Sequence, residues 1–270
     1  MIRIILILLF SFPVALCAQT YQQLSEKAIE YIEMDSLHKA EELLLQALKL
    51  EPKNAKNAML FSNLGLVQRR MGDKALESYS FALNFAPLAV PILLDRAAIN
   101  LEMGNTDRAY TDYCLVLDED KQNKEALLMR AYIYVLRRDY PAARIDYNRL
   151  LELDPQNYSG RLGLATLEQK EGKFKEALEI LNKMIAATPE DATLYIARAD
   201  VEREMKHEDL ALVDLEEAIR LKPSSADAYL LRGNIYLTQK KKALAKTDFE
   251  KAISLGIPPA DLHEQLKQCK

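Results

Sequence analysis

EGKFKEALEILNKMIAATPED, residues 171–191, is one copy of a pattern that recurs through the chain. By itself the stretch predicts a turn at Gly172, then an amphipathic helix, then a helix stop at Pro189, because proline cannot continue a helix. Steps of 34 residues from Ala177 reach an alanine every time, at Ala75, Ala109, Ala143, Ala177, Ala211 and Ala245. Self-similarity at such a fixed period is the signature of a solenoid of repeats.

Two further ladders share this period. A large residue lies four positions after each alanine, at Tyr79, Tyr113, Tyr147, Leu181, Leu215 and Phe249. A small residue lies twelve positions before each of the last five alanines, at Ala97, Ala131, Ala165, Ala199 and Gly233. Each repeat is therefore predicted to be two amphipathic helices, A and B, whose small residues let the backbones approach closely. One pair cannot bury both of its faces, so we expect the pairs to stack.

These ladders, with Pro155, Pro189 and Pro223 near the ends of three repeats, resemble the tetratricopeptide repeat family. The resemblance implies an all-α fold, a right-handed α-solenoid of about seven helix-turn-helix repeats within residues 19–258, with residues 259–270 as a C-terminal capping helix. The expected repeats span residues 21–54, 55–89, 90–123, 124–157, 158–191, 192–225 and 226–258.

The second repeat departs from the pattern. Gly65 lies ten residues before Ala75, whereas the other repeats place the small residue twelve before. We interpret this as a shortened turn between the two helices, with Gly65 in the small position. The alternative keeps Asn63 in that position.

The first residues, MIRIILILLFSFPVALCAQT, predict export. After Arg3, the apolar run Ile4–Leu16 has thirteen residues, about 20 Å of helix against a bilayer core of roughly 30 Å. A signal peptide over residues 1–18, cleaved near Ala18, is therefore favoured over a membrane anchor, so we expect a periplasmic or secreted protein. The alternative is a lipoprotein anchored at Cys17, but Leu16 stands where bacterial lipoproteins usually carry Gly, Ala or Ser.

A charged pair recurs as well. An arginine directly precedes the small residue of helix A at Arg96, Arg130, Arg198 and Arg232. An aspartate lies three residues after the helix B alanine at Asp112, Asp146, Asp214 and Asp248. Leu164 and Ile180 replace both partners together in the fifth repeat. One interpretation is a charged stripe for a ligand. The other is an ion pair inside each repeat, which the joint loss favours because a lone charge between helices is costly.

Little in the sequence indicates chemistry. The histidines, His38, His207 and His263, belong to no metal-binding or catalytic motif, and no Gly-rich phosphate loop or Cys-x-x-Cys pair is present. A net charge of −4 without a dense basic patch argues against nucleic acid. We therefore expect no enzyme activity, cofactor, metal or small-molecule substrate.

The family resemblance implies a concave groove lined by helix A that takes a peptide or helix of a protein partner. Its fifth-position residues are Leu94, Leu128, Leu162, Ile196 and Leu230, and its ninth-position residues are Leu66, Tyr132, Thr166, Asp200 and Asn234. An alternative interpretation places the fifth-position side chains in the core between helices. The ninth position changes from apolar to polar along the chain, so the groove is expected to do the same.

We therefore expect a non-catalytic protein-interaction scaffold of the cell envelope that binds its partner in the groove. The alternative is a structural subunit of an envelope assembly, held through its edges or convex face. A third possibility, a carbohydrate-uptake or peptidoglycan-associated factor, is disfavoured because the chain has no Trp to stack on a sugar.

Overall fold

The computed structural model describes residues 20–72 and 75–269. The predicted signal peptide, its cleavage site near Ala18 and Cys17 lie outside these residues.

All regular structure in the described residues is helical, which confirms the predicted all-α fold class. A short 3₁₀ turn, Pro259–Leu262, precedes the last helix. The helices are α1 (Tyr21–Glu33), α2 (Leu37–Leu50), α3 (Asn57–Met71), α4 (Leu76–Phe85), α5 (Val90–Glu102), α6 (Thr106–Glu119), α7 (Lys124–Leu136), α8 (Tyr140–Leu153), α9 (Tyr158–Lys170), α10 (Phe174–Ala187), α11 (Ala192–Glu204), α12 (Glu208–Leu221), α13 (Ala226–Thr238), α14 (Lys242–Ser254) and α15 (His263–Gln268).

The helices form two bodies, an N-terminal body of α1–α6 and a C-terminal body of α7–α15, divided between Glu119 and Asp120. Odd-numbered helices up to α13 are the A helices of the repeats, and even-numbered helices are the B helices. Within each body, every A helix packs on its own B helix, and that B helix packs on the next A helix. The last helix, α15, contacts α13 and α14, and Leu262 just before it is buried against Phe249. The C-terminal segment thus covers the final repeat.

The alanine ladder lies where the pattern predicts, between the helices of each pair. Ala177 and its four equivalents at Ala109, Ala143, Ala211 and Ala245 are fully buried. Gly233 shows why the partner position is small, because a Cβ atom built on it would lie 2.7 Å from Cε1 of Phe249. Such a distance is too short for a real carbon contact, so the small and large residues of the ladder fit each other.

Gly65 holds the small position of the second repeat, because a Cβ atom built on it would lie 2.7 Å from the Tyr79 ring. Gly233 shows the same close approach to Phe249. The predicted shortened turn falls on residues 73–74, which lie outside the described residues.

Gly172 occupies a left-handed turn that also follows the 34-residue period. Its φ of 76° ends α9 and redirects the chain into α10, a conformation that glycine adopts without steric cost. The equivalent residues are Gly104, Arg138, Lys206 and Lys240, and all four also have positive φ.

Candidate partner-binding surface

The charged ladder forms an ion pair within each of the four repeats that carry it. Arg232 donates from Nε and Nη2 to Oδ2 and Oδ1 of Asp248, both at 2.8 Å. Equivalent two-point contacts of 2.6–2.9 Å join Arg96 to Asp112, Arg130 to Asp146 and Arg198 to Asp214. The ion-pair interpretation is confirmed, and the ladder is not an exposed stripe for a ligand.

Burial explains why both partners are lost together in the fifth repeat. The carboxylates of these pairs are buried, and the Asp248 side chain is 5% exposed against 19% for Arg232. The hydrogen bonds to Asp248 raise the pKa of Arg232 above its usual range. Leu164 and Ile180 pack against the apolar core clusters of their helices instead. An apolar pair therefore substitutes for an ionic one without leaving a buried charge.

The surface on which the sequence predicts partner binding is the A-helix face, defined here by the fifth- and ninth-position residues of the A helices. At the ninth position, Leu66 is 39% exposed and Tyr132 is 44% exposed, although each follows a buried small residue. Thr166 is also exposed, whereas Asp200 and Asn234 are half-buried. Within the C-terminal body, the ninth position thus carries a large apolar-bodied group at Tyr132 and small polar groups in the later repeats.

The fifth-position residues contribute to the core as well as to this face. All five, Leu94, Leu128, Leu162, Ile196 and Leu230, are half-buried. The last four pack against the core clusters of the C-terminal body. The core interpretation therefore accounts for the buried part of their surface.

Asp200 is already engaged inside the protein. Its Oδ2 accepts from Nε2 of buried Gln169 at 2.8 Å, and its Oδ1 accepts from Nη2 of Arg203 at 2.7 Å. Gln169 also donates to Glu204 at 3.0 Å, so this cluster joins α9 to α11. Asp200 accordingly links two repeats. Because its carboxylate already accepts hydrogen bonds inside the protein, it has little capacity left to bind a partner.

Further apolar residues are exposed on the A helices beyond those that the repeat pattern predicts. Leu136 is exposed one helical turn after Tyr132, so Leu128, Tyr132 and Leu136 form a stripe along α7. In the N-terminal body, Ile29 and Met59 are exposed and line a cleft of about 530 Å³ that α1 and α3 border. Ile29 follows the small residue Ala28 of the first repeat, so the ninth-position rule could have found it.

Apolar side chains are exposed on the B helices too. Ile145 on α8 is 69% exposed, and Val213, which occupies the same repeat position on α12, is 63% exposed. Leu210 and Leu244 are also exposed. These residues all lie on B helices, whereas the A-helix face lies on A helices. They form a second candidate contact surface.

The described residues hold no group of three or more His, Cys, Asp or Glu side chains placed to bind a metal ion. His207 contacts the carboxylate of Glu202 through Nδ1 at 2.7 Å. No helix within residues 20–72 and 75–269 combines the length and apolar character that crossing a bilayer requires.

Comparison with solved structures supports the fold. The chain is 36% identical to a tetratricopeptide repeat protein from Parabacteroides merdae, with a TM-score of 0.84 over 92% of this chain and 98% of that one. A protein of this kind from Thermus thermophilus is 21% identical, with a TM-score of 0.60 over 67% of this chain and 98% of that one. A chain of the APC/C hetero-tetramer Cut9–Hcn1 is 14% identical, with a TM-score of 0.64 over 92% and 55%. These last two show the fold alone.

Comparison with curated proteins found no match. Three family models described as tetratricopeptide repeat match the chain, one at residues 137–201, one at residues 94–158 and one at residues 18–54 and 226–255. With a relative above one third identity along nearly the whole length of both chains, the assignment is clear. The chain belongs to the tetratricopeptide repeat family.

Proposed function

We propose that this chain is an exported, non-catalytic scaffold of the cell envelope that binds a peptide or helix of a protein partner along its A-helix face. Proteins of the family are generally protein-interaction scaffolds. The observation that carries the proposal is the exposure of Leu66 and Tyr132 on that face. Each directly follows a buried small residue, so the helix register turns a large apolar group outward where the family is expected to take its partner.

The stripe on α7 gives the proposed surface an anchor. Leu128, Tyr132 and Leu136 follow one another at intervals of one helical turn, and the last two are exposed. A rigid aromatic side chain flanked by aliphatic ones is typical of residues that dominate binding energy, because it buries a large area with few lost rotamers. A partner segment with apolar side chains at helical spacing matches this stripe.

The later repeats offer hydrogen bonds instead. Thr166 is exposed and Asn234 is half-buried, whereas Asp200 is already engaged by Arg203 at 2.7 Å. The hydroxyl of Thr166 and the amide of Asn234 suit the polar side chains or backbone amides of a partner more than apolar anchors. The proposed ligand is accordingly an amphipathic segment. The C-terminal body by itself presents both the apolar residues and the polar residues that would contact it.

Export is part of the proposal and rests on the sequence of residues 1–18. The apolar run after Arg3 is the supporting feature, and cleavage near Ala18 leaves Gln19 as the first residue. Mass spectrometry of the mature N-terminus tests it directly. A mature chain that begins at Gln19 supports export as proposed, whereas a diacylated Cys17 supports the lipoprotein alternative.

The second candidate function is a structural subunit of an envelope assembly, held through its edges or convex face. Ile145 and Val213 favour it, because both are more exposed than any large apolar residue proposed for the A-helix face. Their shared repeat position places them on equivalent faces of α8 and α12. A large partner contacting several B helices at once would bury both.

Site-specific photo-crosslinking separates the two functions. A photo-reactive phenylalanine analogue replaces Tyr132 in one variant and Ile145 in a second, and both are exported in cells that express the tagged chain. Crosslinks to one defined protein from position 132 and not from position 145 support partner binding on the A-helix face. The reverse pattern supports the structural subunit and contradicts the proposal.

A further inference from the structure

A cavity of about 280 Å³ lies between α4, α5 and α6 of the N-terminal body. None of its lining residues occupies a fifth or ninth position, so the cavity is separate from the A-helix face as defined above. Its polar lining comprises Ser80, Arg96, Asn100, Arg108, Thr111 and Asp112.

The cavity coincides with one substitution in the repeat pattern. Asn100 occupies the position that Tyr134 holds in the fourth repeat and Tyr236 holds in the seventh. The ring centroids of those tyrosines lie 5.9 Å from the guanidinium carbons of Arg130 and Arg232, respectively. In the third repeat a short amide replaces the ring, which leaves space open beside the equivalent guanidinium of Arg96.

Hydrogen-bond donors face this space. Nη1 of Arg96 lies 3.5 Å from Oγ of Ser80, at the outer limit of a hydrogen bond, whereas Nη1 of the equivalent Arg198 donates to Asn182 at 2.7 Å. Asn100 is only 2% exposed and lines the cavity. Its Oδ1 accepts from Nδ2 of Asn105 at 3.4 Å. No hydrogen bond joins its own Nδ2 to another described residue, so this donor is available to a ligand in the cavity.

The charge of the lining fits a single negative charge. Both carboxylate oxygens of Asp112 accept hydrogen bonds from Arg96, at 2.9 and 2.7 Å, so these two residues neutralise each other. The exposed Arg108 forms no ion pair with any other described residue, which leaves the lining with one positive charge. A carboxylate carries the matching charge and has the planar two-oxygen shape that guanidinium groups bind.

We propose that this cavity is a binding site for a carboxylate group. The carboxylate accepts hydrogen bonds from Nη1 of Arg96 and Nδ2 of Asn100, and Arg108 supplies the positive charge at the rim. Its source is either a small free acid or the side chain of a Glu or Asp on a protein partner, because both present the same group.

The test is a titration of the full mature chain with sodium acetate at constant ionic strength, followed by NMR of the side-chain amide of Asn100 and the Nε–H groups of Arg96 and Arg108. The expected result is a saturable shift of these signals. Arg108→Gln is expected to weaken acetate binding at least tenfold. Lys53→Gln, which removes one charge from another exposed position of the same body, is expected to leave it unchanged.

Asn100→Tyr is the second variant, because it restores the residue found in the fourth and seventh repeats and refills the cavity. We expect it to keep the helical circular dichroism spectrum and to abolish the acetate shift at Arg108. Shifts that never saturate, equal affinity in Arg108→Gln, or full binding by Asn100→Tyr overturn the proposal.

The source of the carboxylate is decided by comparing succinate with N-acetylglutamate N-methylamide on the same chain. Tighter binding of succinate indicates a free acid, and tighter binding of the blocked glutamate indicates an acidic side chain. Competition with inorganic phosphate tests whether the site selects carboxylates over other anions. If phosphate binds as tightly as acetate, the site does not select carboxylates and the proposal fails.

Discussion

Gly163 on α9 packs directly against the ring of Tyr147 on α8, the helix that ends the preceding repeat. A Cβ atom built on Gly163 would lie 2.6 Å from both Cε1 and Cζ of Tyr147. At the equivalent positions of α10 and α11, the smaller Leu181 is matched with the larger Ala197, and both belong to one core cluster. The size of Tyr147 thus limits the residue that α9 can carry at position 163.

This contact predicts that Gly163→Ala destabilises the junction between the fourth and fifth repeats. Overpacking of a filled site typically costs about 1–3 kcal/mol. Urea unfolding measures the loss, and amide exchange should accelerate in α8 and α9. The double variant Gly163→Ala, Tyr147→Leu supplies the control, because it reproduces the pair in the next repeat. It is expected to recover most of the lost stability, and failure to recover would show that Tyr147 is not the obstacle.

The ion pair between Arg232 and Asp248 predicts an asymmetry between single and double variants. Arg232→Leu leaves the Asp248 carboxylate buried without its partner, which is expected to cost about 3 kcal/mol. The double variant Arg232→Leu, Asp248→Ile reproduces the fifth repeat and is expected to lie within about 1 kcal/mol of the wild type. Chemical denaturation of the three proteins checks this. A double variant as unstable as Arg232→Leu contradicts the account of the paired loss.

Ala177 tests the register of the repeat. It is fully buried where α9 and α10 meet, so Ala177→Leu is expected to cost about 1–3 kcal/mol by overpacking. The neighbouring Glu176→Leu changes an exposed position and is expected to cost under about 0.5 kcal/mol. Because repeat proteins are stabilised by contacts between neighbours, amide exchange should accelerate in the fifth repeat and those beside it. Equal effects of the two substitutions would show that the register is wrong.

Tyr79 predicts a loss of stability at alkaline pH. Burial, with a smaller contribution from the charge of Asp95, raises the pKa of Tyr79 from 10.0 to about 12. The unfolded chain therefore loses this proton first, and the stabilisation is complete below pH 10 and falls as the pH rises toward 12.

Tyr79→Phe removes the titrating hydroxyl while it keeps the ring against Gly65. Its melting temperature should fall less steeply between pH 10 and 12 than that of the wild type. The hydroxyl has no hydrogen-bond partner among the described residues, so the variant is also expected to be at least as stable at pH 7. Parallel alkaline profiles for the two proteins would contradict this assignment.

Much of the fold could be predicted from the sequence because the period fixes which residues face each other. The period predicts that Ala177 and its equivalents contact the other helix of their repeat. The replacement of both charged residues by Leu164 and Ile180 predicts that the ion pairs form inside a repeat. The second repeat shows where the pattern stops, because its spacing left two candidates for the small position, Gly65 and Asn63. Only the contact with the Tyr79 ring decides between them.

The candidate surface was less accessible to sequence reasoning. Tyr132 and Leu66 follow from the register, and both are exposed. The engagement of Asp200 by Gln169 depends on side-chain geometry across two repeats, which the pattern does not encode. The left-handed turn at Lys240 was also hidden, since glycine is the residue that normally indicates such a conformation.

Binding of a partner to the A-helix face is measured by the affinity of the crosslinked partner for three purified proteins. Isothermal titration calorimetry compares the wild type, Tyr132→Ala and Ile145→Ala. We expect Tyr132→Ala to weaken binding by about tenfold, or roughly 1.4 kcal/mol, with a nearly unchanged melting temperature. Ile145→Ala is expected to keep wild-type affinity. Wild-type affinity in Tyr132→Ala together with weaker binding by Ile145→Ala would show that the partner does not bind this face.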